Sequence, residues 1–155
     1  MKKEQPHIGR WLSILHRSAM SYYGKELASF NVGKGQVIFL RKLFHEDGIR
    51  QEDLAKGLFI DKGTTTRALL RLEKEGYIER REDEGDHRVK RVFLTPKAGK
   101  FKNVLRKKSS KLTTLLFEGF TDEEKIEVYR LTKKMAENAV RVVENEKAIE
   151  DGEQD

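Results

Sequence analysis

Over residues 8–30 apolar side chains return every three or four positions. Ile8, Leu12, Leu15, Ala19, Tyr22 or Tyr23, Leu27 and Phe30 share one helical face, with Trp11 beside it. Asn31-Val32-Gly33-Lys34-Gly35 interrupts the pattern with residues that favour turns, and Gln36 to Glu46 predicts a second, shorter helix ended by Asp47-Gly48. Glu52, Leu54, Ala55 and Leu58 predict a short helix from about Gln51 to Gly57. After Leu58-Phe59-Ile60, Asp61 is placed to cap a helix running from about Lys62 to Glu75 and stopped at Gly76. Its inward face is Thr65, Leu69, Leu72 and Gly76; its outward face is Lys62, Thr64, Thr66, Arg67, Leu70, Arg71 and Lys74.

The period then changes. Residues 77–82 and 89–95 read as two strands around the polar turn Asp83-Glu84-Gly85-Asp86-His87, a β-hairpin. Thr95-Pro96 starts another helix to about Phe117. Glu118-Gly119-Phe120 breaks it, and Thr121-Asp122-Glu123-Glu124 begins a last helix carrying Ile126, Tyr129, Leu131 (or Thr132), Met135, Ala139 and Val143. From about Lys147 the sequence turns polar, and residues 148–155 are expected to be a flexible acidic tail.

Two short helices, a tight turn and a hairpin make a winged helix-turn-helix. The fold expected is mainly α, with a small antiparallel β-hairpin wing. The second helix suits the major groove of DNA, with Lys62, Thr64, Thr66 and Arg67 at its leading end and Arg71 and Lys74 behind them, where phosphates would lie. Arg88 sits near the hairpin tip, in reach of the adjacent minor groove, with Lys90 and Arg91 close to the DNA backbone. Lys97 and Lys100 open a run of seven cations without an acid between Lys97 and Lys111, and these two are weaker candidates for flanking phosphates.

Charge agrees with that partner. The 155 residues carry a formal +6. Residues 137–155 hold seven acids and two bases, so the preceding chain is strongly basic. Cysteine is absent, which excludes disulfide scaffolds, thiolate metal sites and thiol nucleophiles. The longest stretches free of Asp, Glu, Lys and Arg are Ser18–Gly24 and Leu27–Gly33, too short for a membrane span or a signal peptide. A cytoplasmic protein is expected. No enzyme is expected, nor any metal or cofactor. His7, His16, His45 and His87 lack the spacing of paired ligands, Gly33-Lys34-Gly35 lacks the rest of a dinucleotide loop, and Asp83, Glu84 and Asp86 are explained by turn propensity.

Two stretches resemble one known family. Asp61-Lys62-Gly63-Thr64-Thr65-Thr66-Arg67, continued by Leu72-Glu73-Lys74-Glu75-Gly76-Tyr77-Ile78, is similar to the recognition helix of the MarR family of bacterial and archaeal transcription regulators. Asp86-His87-Arg88 followed by Leu94-Thr95 resembles that family's wing signature, which implies that Asp86 orients the wing. Gly63 departs from the usual Ser or Thr, a change expected to loosen the helix start and remove one phosphate contact.

The resemblance implies a homodimer on a near-palindromic operator, more a repressor than an activator. Residues 1–34 and 102–147 would form the helical dimerisation region and 35–101 the DNA-binding domain. Leu112, Leu115, Leu116, Phe117, Tyr129, Met135 and Val140 are then better used against a partner chain, the alternative being an intramolecular bundle. The family's effector pockets lie between the winged domain and the dimer helices. Trp11, His16, Arg17, Tyr22, Tyr23 and Phe39 are the candidates from that region, suited to a small aromatic or amphipathic anion. A winged-helix module that binds an acidic protein is the competing function.

Overall fold

The computed structural model describes the backbone of residues 7–152 and the side chains of residues 7–146. Helix α1 spans Gly9–Glu26, α2 Val37–His45, α3 Gln51–Leu58, α4 Lys62–Lys74, α5 Pro96–Leu116 and α6 Asp122–Gly152. Strands β1 (Ile49–Arg50), β2 (Ile78–Glu82) and β3 (Lys90–Leu94) form an antiparallel sheet in the order β1-β3-β2. The chain divides into two compact units, residues 1–112 and 113–155, the division falling within α5.

In the first unit the apolar stripes converge on one core. Leu27, Phe39, Leu40, Leu43, Leu54, Leu69, Leu72, Tyr77, Ile78 and Val92 are all almost completely buried. The helix expected over 8–30 is shorter than its stripe. It ends at Glu26, Ala28–Phe30 form a single 3-10 turn, and Asn31 turns left-handed at φ 56°. Leu27 and Phe30 keep the stripe because both still pack on the core, although the backbone has left the α-helix.

The connection between α3 and α4 closes on Phe59, which takes a left-handed φ of 54° without being glycine. That conformation lets the Ile60 N–H donate to the Ala55 carbonyl at 3.1 Å. Asp61 then caps α4 as expected, its Oδ1 accepting from the Thr64 N–H at 2.8 Å. That bond, reinforced by the Thr64 hydroxyl, holds the Asp61 carboxyl below the usual carboxylate range. Thr65, Leu69 and Leu72 turn inward with no exposure, and Gly76 ends the helix at φ 74°. Helix α4 thus starts at Lys62 despite Gly63, with its register fixed at both ends.

The hairpin forms with Ile78 opposite Leu94 and Glu82 opposite Lys90. A third strand, β1, pairs Ile49 with Val92 and Arg50 with Arg91, and two residues are too few to leave a periodic signal. In the second unit, α6 runs to Gly152, past the end expected near Lys147; residues 153–155 of the expected tail lie outside the described residues. Along α6, Ile126, Tyr129, Leu131 and Val142 are exposed, whereas Met135 and Val143 are half-buried.

Candidate nucleic-acid interface

The cap and the buried seam fix how α4 presents its remaining side chains. Lys62, Thr64, Arg67, Arg71 and Lys74 are exposed, and Thr66 is half-buried. Arg67 folds back along the helix and donates to the Thr64 hydroxyl at 2.9 Å. It lies over Gly63, where an added Cβ would stand 3.5 Å from Arg67 Nη1 and 3.2 Å from Asp61 Oδ1. The distance to Arg67 is ordinary van der Waals contact, whereas the tighter approach is to the capping carboxylate, which a side chain here would press by a few tenths of an ångström. Among the described residues, Arg67, Arg71, Lys74 and Arg88 have no carboxylate within 4 Å, so these cations are not neutralised by ion pairs.

A concavity of about 350 Å³ joins α4 to the wing, with Lys62, Thr65 and Thr66 on one wall and Arg88, Val89 and Lys90 on the other. Gln51, Glu52 and Ala55 of α3 and Arg80 of β2 complete it. Lys62 pairs with Glu52 at 3.0 Å, which holds the Glu52 carboxyl below its ordinary range. Lys90 pairs with Glu82 at 2.9 Å, with the same effect on Glu82. Gln51 Nε2 donates to the Thr66 hydroxyl at 3.0 Å, and that hydroxyl donates to the Lys62 carbonyl at 2.8 Å, which fixes the Thr66 rotamer. Arg71 lines a second depression, of about 370 Å³, with Glu75 and the turn Asn31, Val32, Gly33 and Lys34.

Asp86 shapes the wing tip through its carboxylate, which accepts from the Arg88 N–H at 3.0 Å, while its carbonyl accepts from the Val89 N–H at 2.9 Å. Arg91, whose side chain is 38% exposed, is also engaged within the wing: it hydrogen-bonds Asp83 through Nε and donates from Nη1 to the Gly48 carbonyl at 2.8 Å. Asp83 is nearly buried, accepts from the Gly85 N–H at 3.0 Å, and has Arg50 at 3.7 Å. Arg91, assisted by the Gly85 amide, holds the Asp83 carboxyl below its usual range. Asp83 and Arg91 thus anchor the wing to β1. The sequence shows Asp83 only as a turn former, because its partners are set by strand pairing. Lys97 is likewise engaged, donating to the Glu75 carbonyl at the end of α4 and lying 4.4 Å from the Tyr77 ring centroid.

The six effector candidates are dispersed. Phe39 and Tyr23 are buried in the core of the first unit. Tyr23 also accepts from Arg41 at 2.6 Å and donates to Ser109 at 3.1 Å. Tyr22 donates to the Lys108 carbonyl at 3.2 Å. Trp11, His16 and Arg17 are exposed on α1, Trp11 lying under the Arg10 guanidinium. The concavities described above are lined by other side chains. Among the described residues no group of three or more His, Cys, Asp or Glu could hold a metal ion, and no helix is long and apolar enough to cross a membrane.

A capped helix with a cationic outer face, set beside a hairpin that presents an arginine at its tip, defines a winged helix-turn-helix DNA-binding protein. Comparison with known proteins narrows that class. The family model "MarR family" matches residues 34–90. The HTH-type transcriptional regulator YybA of Bacillus subtilis (strain 168) is 31% identical over 134 residues, covering 86% of this chain and 89% of that one. A MarR transcriptional regulator from Methanosarcina mazei Go1 has a crystal structure that aligns at a TM-score of 0.85 and 41% identity, over 87% of this chain and 97% of that one. A MarR family regulator from Listeria monocytogenes, complexed with 26mer DNA, aligns at a TM-score of 0.79 and 29% identity, over 86% and 89%. The chain belongs to the MarR family of DNA-binding transcriptional regulators.

Proposed function

We propose that this protein is a homodimeric repressor that binds near-palindromic operators and is released by a small aromatic or amphipathic anion. The observation that carries the DNA reading is the single concavity that Lys62 and Thr66 of α4 share with Arg88 and Lys90 of the wing. A helix in the major groove and a hairpin tip at the neighbouring minor groove need that adjacency. The Listeria relative captured with a 26mer duplex supports the same use of the fold.

Lys62, Thr64, Thr66 and Arg67 meet base edges and nearby phosphates; Arg71 and Lys74 meet phosphates. Arg88 enters the minor groove, Lys90 follows the backbone, and Asp86 and Arg91 hold the wing in position. Residues 35–101 read DNA. Residues 1–34 and 102–147 pair two copies, so that two recognition helices address major grooves about one turn, ~34 Å, apart. Exposed Trp11, Leu12 and Leu15 on α1, and Ile126 and Tyr129 on α6, offer apolar surface for that pairing. Arg17, exposed on α1 with Trp11 and His16, supplies the cationic and aromatic chemistry for an anionic effector. No catalysis is assigned.

The test is selection of bound duplexes from a random-sequence pool by the full chain, followed by gel shifts across a salt series. An inverted-repeat site with strongly salt-dependent affinity is expected. Binding without sequence preference would point instead to a winged-helix protein module. Titrating salicylate into the complex tests the effector; unchanged affinity at millimolar ligand removes that class.

A further inference from the structure

The buried seam of α4 is Thr65, Leu69 and Leu72, spaced four and three. Moving two residues along an α-helix turns about 200°. The same spacing starting two residues earlier therefore gives positions on the face turned away from the core, Gly63, Arg67 and Leu70, with Lys74 about one turn further on. Gly63 has no side chain and Lys74 stands at the helix end. Arg67 thus stands in the middle of the outward face, with Leu70 and Arg71 about 50° to either side of the outward direction, and Leu70 is the apolar side chain exposed there.

Leu70 is 49% exposed on a helix whose other leucines, Leu69 and Leu72, are fully buried. Arg67 and Lys74 stand about one turn before and after it and Arg71 follows it in the chain, while Glu73, the one carboxylate on residues 62–74, is held by Arg80. An acidic protein surface would match those cations but offer an apolar side chain little. The major groove offers both, phosphates at its rims and one apolar group on its floor, the 5-methyl of thymine.

We infer that Leu70 reads a thymine methyl in each operator half-site, next to the base that Arg67 reads. This assignment rests on the DNA-binding role proposed above and specifies part of the site. Three residues advance about 4.5 Å along the helix, against 3.4 Å per base pair, so the two contacts fall one or two pairs apart. Arg67 suits the O6 and N7 acceptors of guanine. Leu70 packs against the thymine methyl and leaves the polar major-groove edges of the other bases desolvated and unpaired.

The experiment starts from the site enriched out of random duplexes by the full chain. Each thymine is replaced in turn by deoxyuridine, which removes only the methyl group. The expected result is one thymine per half-site whose replacement weakens wild-type binding about fourfold, the value of one buried methyl. Leu70→Ala should be insensitive to that replacement, select no thymine there, and still require the guanine. Because the side chain is exposed, the variant should match wild type in thermal midpoint. Equal binding to every deoxyuridine duplex, or the same sensitivity in Leu70→Ala, overturns the assignment while leaving DNA recognition standing. A pool with no enriched sequence overturns both.

Discussion

Arg80 on β2 holds Glu73 of the recognition helix with three hydrogen bonds, Nε to Oε2 at 3.0 Å, Nη2 to Oε2 at 2.7 Å, and its own backbone N–H to Oε1 at 3.0 Å. The pair fixes the angle between α4 and the strand that leads into the wing. The side chains are only 20% and 33% exposed, so the contact is partly shielded from water. Glu73→Gln keeps the shape but gives up the charge. It should lower unfolding free energy by about 1–2 kcal/mol, a fall of a few degrees in thermal midpoint. An unchanged midpoint would assign the pair no structural role.

A second prediction concerns acid. The Glu73 carboxyl is held low chiefly by Arg80, and Asp83 chiefly by Arg91. A carboxyl with a lowered folded-state pKa contributes stability that is complete above its unfolded value and is lost as pH falls through the folded one. Stability should therefore be flat near neutrality and decline below about pH 4. Asp83→Asn should shrink that acid-dependent part. It should also weaken DNA binding at pH 7, because Arg91 and Arg50 lose the anion that ties the hairpin to β1. Urea unfolding across pH and gel shifts at pH 7 check both halves. A variant with wild-type affinity would show that the clamp does not position the wing.

The recognition helix was legible in the sequence because its inward residues follow the helical period and both ends carry their own signals, Asp61 before it and Gly76 after it. Arg67 and Lys62 could be placed on the outer face for the same reason. What escaped depends on residues distant in sequence. The second role of Arg91, as an anchor, appears only when β1 pairs with β3 and brings the Gly48 carbonyl beside it, 43 residues away. Phe59 takes a left-handed conformation that side-chain identity argues against, because the packing of α3 on α4 demands the turn. Phe39 and Tyr23 share the aromatic spacing expected of a pocket but serve the core, a choice that periodicity cannot make.

Arg67 and Lys74 should separate selectivity from affinity. Arg67 leaves α4 near its leading end, whereas Lys74 stands at the far end, placed for a phosphate. Arg67→Ala is expected to cut the preference for the selected site over random duplex by about 1–3 kcal/mol. Lys74→Ala should weaken both duplexes alike and make the slope of log affinity against log salt shallower by about one. Fluorescence anisotropy on both duplexes at several salt concentrations measures each effect. Equal losses on every sequence for Arg67→Ala would remove its base-reading role.

Pairing of two copies predicts a different sensitivity. Ile126 is 68% exposed on α6. If that face meets a partner chain, Ile126→Glu buries an unpaired charge there and should convert the dimer expected for wild type to monomer. Monomers bind half-sites singly, so affinity for a two-half-site duplex should fall more than tenfold while a single half-site is bound about as before. Sedimentation velocity and anisotropy together decide it. A variant that stays dimeric would place the interface elsewhere.

Among the described residues, the Thr65 hydroxyl has no hydrogen-bond partner, and it is buried on the inner face of α4. Its neighbours on that face, Leu69 and Leu72, are apolar and fully buried, so the oxygen sits where a methyl group would fit. A buried hydroxyl left unbonded costs about 1–3 kcal/mol relative to an apolar group of the same shape. Valine has that shape and a similar helix propensity. Thr65→Val should therefore raise unfolding free energy by about 1 kcal/mol and the thermal midpoint by a few degrees. Thr65 also borders the concavity between α4 and the wing, so operator affinity is measured beside stability. A more stable variant with unchanged affinity makes the hydroxyl a cost of the fold, whereas a stable variant that binds the operator less tightly makes the residue a support of the interface.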